Sequence, residues 1–401
     1  CILILFLIPV YCVYSFMAIG KSVKRVDAVA KVTGRARYTD DFFIPGMLVA
    51  KYLRSTIAHG RVTHIDVDRA RRLPGVEAVF TYADVPRNLF ATAGHPYVLD
   101  PAHKDVADRL LLTDHVRYWG DEIAVVVAEN DIVVQEALAL IDVTYAEYTP
   151  LVTPEAALTN GADEIHAGSK NIIGESKYAV GGAVETALGD ADVVLEGRYR
   201  TQMCQHCHIE NHIAYAFMDD LEHIVVVSST QIPHIARRIV GEALGLPWGR
   251  IRVIKPYIGG GFGAKQDVIL EPMVAFLTLQ LGGRPVKIDL SREECMIGTR
   301  TRHPFDVKMR IGVMSDGTLK AVDVNSVSNS GAYASHGNSV AGAAGAKSRL
   351  LYPRSTIRYY AKTVYTNTPA AGAMRAYGAP QMIFALDCII EEAARKIGMD
   401  P

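Results

Sequence analysis

The chain has 401 residues, 49% of them hydrophobic, with 42 Lys and Arg against 43 Asp and Glu for a net charge of −1. A chain of this length and apolar content buries a large core and divides into two or more domains, and a near-neutral balance without a basic stripe excludes nucleic acid as the main partner. Six cysteines in so long a chain make no disulfide scaffold, which points to a reducing, cytoplasmic setting; they also lack the spacing of a four-cysteine iron–sulfur site.

Residues 1–16, CILILFLIPVYCVYSF, carry no charge, and with the next four residues they approach membrane-spanning length. The basic residues Lys21, Lys24 and Arg25 follow this run rather than precede it, the reverse of a signal peptide. Met17 therefore reads as the start of the protein, and 1–16 as an apolar leader from upstream translation or an over-extended gene. A membrane anchor is the alternative.

Residues 17–150 read as one compact α+β domain. Strands are expected at 48–55, 62–67, 76–82, 123–128 and 141–147, from alternating or continuous β-branched patterns. Short helices are expected at 69–73, behind an Asp68 cap, and at 131–140. Pro74-Gly75 marks a turn and Pro150 a boundary.

The remainder, 151–401, forms a second α+β unit. It is read with helices at 154–158, 233–244, 268–281 and 382–397, and a glycine link at Gly181-Gly182. Its strands fall at 192–199, 212–217, 224–229, 251–258, 285–290, 306–313 and 319–326, with an Asp316-Gly317 hairpin turn. The stretch 334–348 is so rich in Gly, Ala and Ser that it reads as a loop under a ligand or partner. The end at Met399-Asp400-Pro401 looks cut.

Chemistry concentrates in a few segments. Gly259-Gly260-Gly261-Phe262-Gly263-Ala264-Lys265 lies between an apolar strand and a helical pattern, so bare main-chain N–H groups can approach a bulky ligand, with Phe262 as a wall. It is no Walker loop, because Gln266 follows Lys265, and the Rossmann spacing is absent. Gln231 ends a strand before a helix, where its amide can cap that helix or donate to an oxo group. Arg375, among small residues, can aim its fork at an anion or form a surface salt bridge. Cys204-Gln205-His206-Cys207-His208 matches the C-x-x-C-H haem attachment pattern, and His206, His208, Glu210 and His212 resemble metal ligands by composition. The reading preferred is a strand lining a polar cavity, its side chains bonding one another.

Taken together, these segments resemble the molybdenum-binding subunits of the xanthine dehydrogenase/aldehyde oxidase family, over 17–401. The resemblance is carried by Gly34-Arg35-Ala36-Arg37-Tyr38-Thr39-Asp40-Asp41, Arg54-Ser55, Ala58-His59-Gly60, Leu73-Pro74-Gly75-Val76, Ser229-Thr230-Gln231, the glycine run through Gln266-Asp267, and Gly372 to Gln381. It implies a hammerhead α/β domain to about 150, then the first part of a molybdopterin-binding α+β domain. It implies a Mo-molybdopterin cofactor without a direct side-chain ligand to the metal, surrounded by outer contacts from the protein.

By the same resemblance Gln231, Gly261, Phe262, Gly263 and Arg375 contact the cofactor, with Gln231, Phe262 and Arg375 nearest the metal, while Gln266 and Tyr377 face substrate. The implied reaction is hydroxylation of xanthine or hypoxanthine with oxygen from water. The family's glutamate base lies beyond Pro401, so no catalytic residue falls in this chain and the fragment alone is inactive. Electrons pass to 2Fe-2S and FAD on partner subunits and on to NAD, in an oligomer of heterotrimers. Animal-type enzymes carry Glu where Gln266 stands, and 341–349 offers Lys347 and Arg349 without a clear match to the second purine-binding arginine. An aldehyde or another N-heterocycle is therefore the competing substrate class, and an exported or membrane-tethered haem protein the different-class alternative.

Overall fold

The computed structural model of the chain describes residues 20–100 and 104–401; the leader 1–16 lies outside the described residues. Among these, no helix is long and apolar enough to cross a membrane. The strands are β1 (Leu48–Arg54), β2 (Gly60–Asp66), β3 (Val76–Thr81), β4 (His115–Val116), β5 (Glu122–Ala128), β6 (Asp142–Glu147), β7 (Ile172–Val180) and β8 (Val193–Arg200). They continue with β9 (Ile213–Met218), β10 (Ile224–Ser228), β11 (Ile251–Ile254), β12 (Val286–Asp289), β13 (Phe305–Val313), β14 (Leu319–Gly331) and β15 (Thr356–Tyr365).

Among the described residues three sheets form, with strand orders β11-β10-β9-β12-β1-β5-β3, β7-β15-β14-β13-β8 and β4-β2-β6. The first runs across residue 150: β1 pairs in parallel with β12, Leu48 opposite Val286. β5 is buried along its whole length, the continuous apolar run of a strand covered on both faces. One face packs on the helices Pro233–Leu244 and Glu271–Gln280 through Ile239, Met273, Leu277 and Ile288, and the other on the helix Asp131–Leu138 through Val134 and Ala137. The five-stranded sheet is covered by the helix Ala379–Lys396, whose Met382, Leu386, Ile389 and Ala393 form a buried stripe at helical spacing.

Several expectations are corrected. The stretch 334–348 is not a loop: Gly337–Leu351 is a helix. Its small residues are what allow it to pack, since a Cβ at Gly345 would lie 2.5 Å from the Tyr359 ring; close approach to the sheet overrides the low helix propensity of Gly and Ser. The helix expected at 268–281 starts only at Glu271, after a 3-10 turn at Ala264–Gln266, because Asp267 bridges Ala93 and Val268 N–H donates to the Thr92 carbonyl (3.0 Å). Asp68 is inside its helix rather than its cap, and its N–H is taken by Asp66 Oδ1 (2.9 Å). β11 ends at Ile254, short of the expected 258.

Candidate functional site

The glycine run leaves β11 and is fastened at three points. At its start, Gly259 N–H donates to Glu210 Oε2 (2.8 Å). Lys265, 1% exposed, donates from Nζ to the same oxygen (2.7 Å) and to the Glu210 carbonyl (3.0 Å). Burial pulls the Lys265 pKa down while Glu210 pushes it back up. In the middle, Gly263 N–H donates to Gln231 Oε1 (3.0 Å), and Gln231 N–H to the Lys265 carbonyl (2.8 Å). Across the gap, Arg375 N–H donates to the Phe262 carbonyl (2.8 Å).

Glycine is required here by space as well as conformation. A Cβ at Gly261 would sit 2.5 Å from Gln231 Oε1, and one at Gly263, where φ is +103°, 2.6 Å from the Ala373 carbonyl. Phe262 holds φ +52° and is 51% exposed. Opposite it, Ala376 (φ +71°) and Tyr377 (φ +52°) are also left-handed. Such conformations are costly for residues with a Cβ and collect at ligand sites. The N–H groups of Gly260, Gly261 and Phe262 donate to no other described residue, and the exposed Arg375 guanidinium has no ion pair among the described residues.

The structure thus brings Gln231, Gly261, Phe262, Gly263 and Arg375 to one place. Gln231 does not cap the following helix, whose N-cap is Ile232 without a side-chain bond. Gln266 and Tyr377 lie beside one another's neighbour: the Gln266 carbonyl is 3.2 Å from His336 Nε2, and the His336 and Tyr377 rings are 5.8 Å apart. Behind Gln266, the buried Asp267 accepts from Thr92 and Ser335 (both 2.8 Å) and faces Arg300 Nε at 3.0 Å. Burial alone would raise its carboxyl, but Arg300 and His336 hold it below its usual value.

The segment 204–212 is not the expected strand, and its side chains do not chiefly bond one another. His206 bonds the Ala373 and Arg300 carbonyls (2.9 and 3.1 Å), His208 the Glu210 carbonyl and His212 the Ala264 carbonyl (3.3 Å). Burial lowers all three histidine pKa values, that of His208 to about 4, keeping the rings neutral as hydrogen-bonding spacers. Cys204 and Cys207 are exposed. No group of three or more His, Cys, Asp or Glu able to hold a metal ion occurs among the described residues. Sequence reasoning missed Lys265, Glu210 and His336 as supports of the site; only the run of polar residues at 206–212 signalled that a polar wall was needed.

Comparison with known proteins adds to this geometry. A family model for the molybdopterin cofactor-binding domain matches residues 165–401, and one for the aldehyde oxidase and xanthine dehydrogenase a/b hammerhead domain matches 33–149. The xanthine dehydrogenase molybdenum-binding subunit of Escherichia coli O157:H7 is 52% identical over 377 residues, 94% of this chain and 50% of that protein. The nicotinate dehydrogenase large molybdopterin subunit of Eubacterium barkeri is 37% identical over 387 residues, 96% of this chain and 88% of that one. The solved aldehyde oxidoreductase from Desulfovibrio gigas superposes with a TM-score of 0.87 at 29% identity, covering 95% of this chain and 42% of its own. The chain therefore spans about half the length of the E. coli relative and most of the E. barkeri subunit.

Proposed function

Because this chain belongs to the aldehyde oxidase and xanthine dehydrogenase family of molybdenum oxidoreductases, we propose that it holds the molybdenum cofactor of a xanthine dehydrogenase acting on xanthine or hypoxanthine. The observation that carries this reading is the set of N–H donors at 260–262 that no other described residue takes, next to a segment joined to the run through Arg375 N–H and the Phe262 carbonyl, whose exposed guanidinium has no ion pair among the described residues. An anionic pterin whose metal takes its ligands from the cofactor itself needs donors and a cation around it, and no side-chain ligand set. The residues present fit that requirement.

When bound, the cofactor supplies the oxygen-transfer and two-electron chemistry. The chain's own residues hold and orient. With Gln231 Oε1 engaged by Gly263 N–H (3.0 Å), the free end of that amide is its NH2, a neutral donor for an oxo-type acceptor. Main-chain N–H groups at Gly261 and Phe262 supply fixed dipoles that need no reorganisation. Phe262 closes one side, Arg375 offers charge, and Gln266 and Tyr377 face the substrate side. Gln266 can hydrogen-bond a purine edge in either direction without a negative charge. The glutamate base, the 2Fe-2S and FAD subunits and a cytoplasmic oligomer of heterotrimers complete the proposal. The uncharged Gln266 also favours a second reading, another N-heterocycle or an aldehyde, in line with what the E. barkeri and D. gigas proteins are named for.

Co-purification with the partner subunits and the rest of the molybdenum protein tests both parts. Stoichiometric molybdenum and a higher kcat/KM for xanthine than for nicotinate or benzaldehyde are the expected results. An assembly free of molybdenum would overturn the cofactor reading; a preference for nicotinate or benzaldehyde would overturn the purine reading alone.

A further inference from the structure

Two adjacent left-handed residues, Ala376 (φ +71°) and Tyr377 (φ +52°), form a turn that an unsupported chain would not keep. One side chain brackets this pair. Arg302 donates from Nη2 to the Arg375 carbonyl (3.2 Å) and from Nη1 to the Tyr377 carbonyl (3.0 Å), with Gln381 Oε1 at 3.4 Å. The fork of a guanidinium suits two acceptors set side by side, which the single ammonium of lysine cannot reproduce. Arg302 has no acidic partner among the described residues, so carbonyl oxygens are what satisfy its charge.

Its own position is rigid. Arg302 N–H donates to the Cys204 carbonyl (2.9 Å). His303, next in the chain, is buried, and its carbonyl accepts from Gln381 Nε2 (3.0 Å). β13 begins two residues later and is paired on both sides, with β14 and β8, in the five-stranded sheet. The turn in turn reaches the glycine run through Arg375 N–H and the Phe262 carbonyl (2.8 Å), and the Tyr377 ring stands 5.8 Å from His336. The Arg302 guanidinium thereby ties the turn to the residues that lead into β13, and the Arg375 amide ties the turn to the glycine run.

We propose that Arg302 is a positioning residue that holds the Arg375–Tyr377 turn in its left-handed form, setting Arg375 against the cofactor and Tyr377 against the substrate. This rests on the function proposed above. Arg302 touches neither ligand; it acts through the carbonyls of the residues that do. Arg302→Met keeps the aliphatic stem and removes the fork. Ala376→Gly lets the same turn form without the Cβ penalty at φ +71° and so should compensate for the missing fork.

The test compares wild type, Arg302→Met, Arg302→Lys and Arg302→Met/Ala376→Gly in the assembled enzyme. We expect Arg302→Met to raise the purine KM about tenfold, more than it lowers kcat per bound molybdenum, with Lys intermediate and the double variant recovering most of the loss. Hydrogen exchange at the Arg375 and Tyr377 amides, measured before cofactor loading, should quicken about tenfold in Arg302→Met and slow again in the double variant. Unchanged KM, or no recovery with Ala376→Gly, overturns the inference. If wild type carries no molybdenum or rejects purines, the functional reading fails instead. The exchange arm then still decides the structural half: unchanged exchange in Arg302→Met overturns it.

Discussion

Two regions of this molecule use charge and backbone in opposite ways. Where β1 and β5 meet the second half of the chain, charges are buried and paired. Arg109 reaches Asp121 (3.1 Å) and Glu122, Arg54 reaches Glu122 (2.7 Å), and the Tyr333 hydroxyl donates to Asp121 (2.9 Å) beneath the Arg109 guanidinium. At the glycine run, the N–H groups of 260–262 and the Arg375 guanidinium have no partner among the described residues, and Phe262, Ala376 and Tyr377 hold positive φ. The first region puts its polar groups into holding two parts of the fold together. The second keeps donors and strain in reserve for something that binds, which is how a site differs from a joint.

The sharpest way to break this contrast is to cut the joint. Arg109→Met leaves Asp121 and Glu122 buried beside one another with less compensation, and removing one partner of such a pair costs about 3–5 kcal/mol. Denaturant unfolding should register that loss; a change below about 1 kcal/mol would mean the charges do not hold the junction.

A smaller effect with a defined sign belongs to Asp108, which accepts from Ala334 N–H (2.7 Å) and the Tyr365 hydroxyl (2.9 Å) at the same junction. Burial pushes its carboxyl from 3.8 up to about 6. The folded state therefore prefers the protonated form. That stabilising contribution is complete below about pH 3.8 and is lost as pH rises through about 6. Asp108→Asn keeps an acceptor without the charge, so it should gain stability above pH 6, by at most about 3 kcal/mol, and nothing near pH 3.5. Equal stability of the two proteins from pH 4 to 8 would refute this.

The least effect on folding is expected at the site itself. Arg375→Ala removes an exposed side chain with no ion pair among the described residues and should leave the thermal midpoint unmoved while molybdenum content falls several-fold. A lower midpoint with full molybdenum content would reverse the roles assigned to the two regions.

Legibility in the sequence followed the range of the interactions. The strands β1, β5, β9 and β10 were readable because their residues alternate or run apolar over short windows. The glycine run was readable because only glycine tolerates both the conformation and the crowding by Gln231 and Ala373. The helix Gly337–Leu351 was hidden, since its composition favours a loop until Tyr359 and the sheet are placed against it. The histidines at 206, 208 and 212 looked like ligands because composition cannot reveal that carbonyls of Ala373, Arg300, Glu210 and Ala264 already occupy them.

The amino-acid order alone determined which segments have exposed main-chain donors, which strands are buried, and, through motifs spread along the chain, the family. Only the tertiary structure decided that Gln231 faces Gly263 rather than its own helix, that Glu210 and Lys265 anchor the glycine run, and that Arg302 brackets the turn carrying Arg375 and Tyr377. Each of these is a contact between residues at least 32 positions apart, and local patterning carries no information about such pairs. Their partners are set by how the sheets and helices pack.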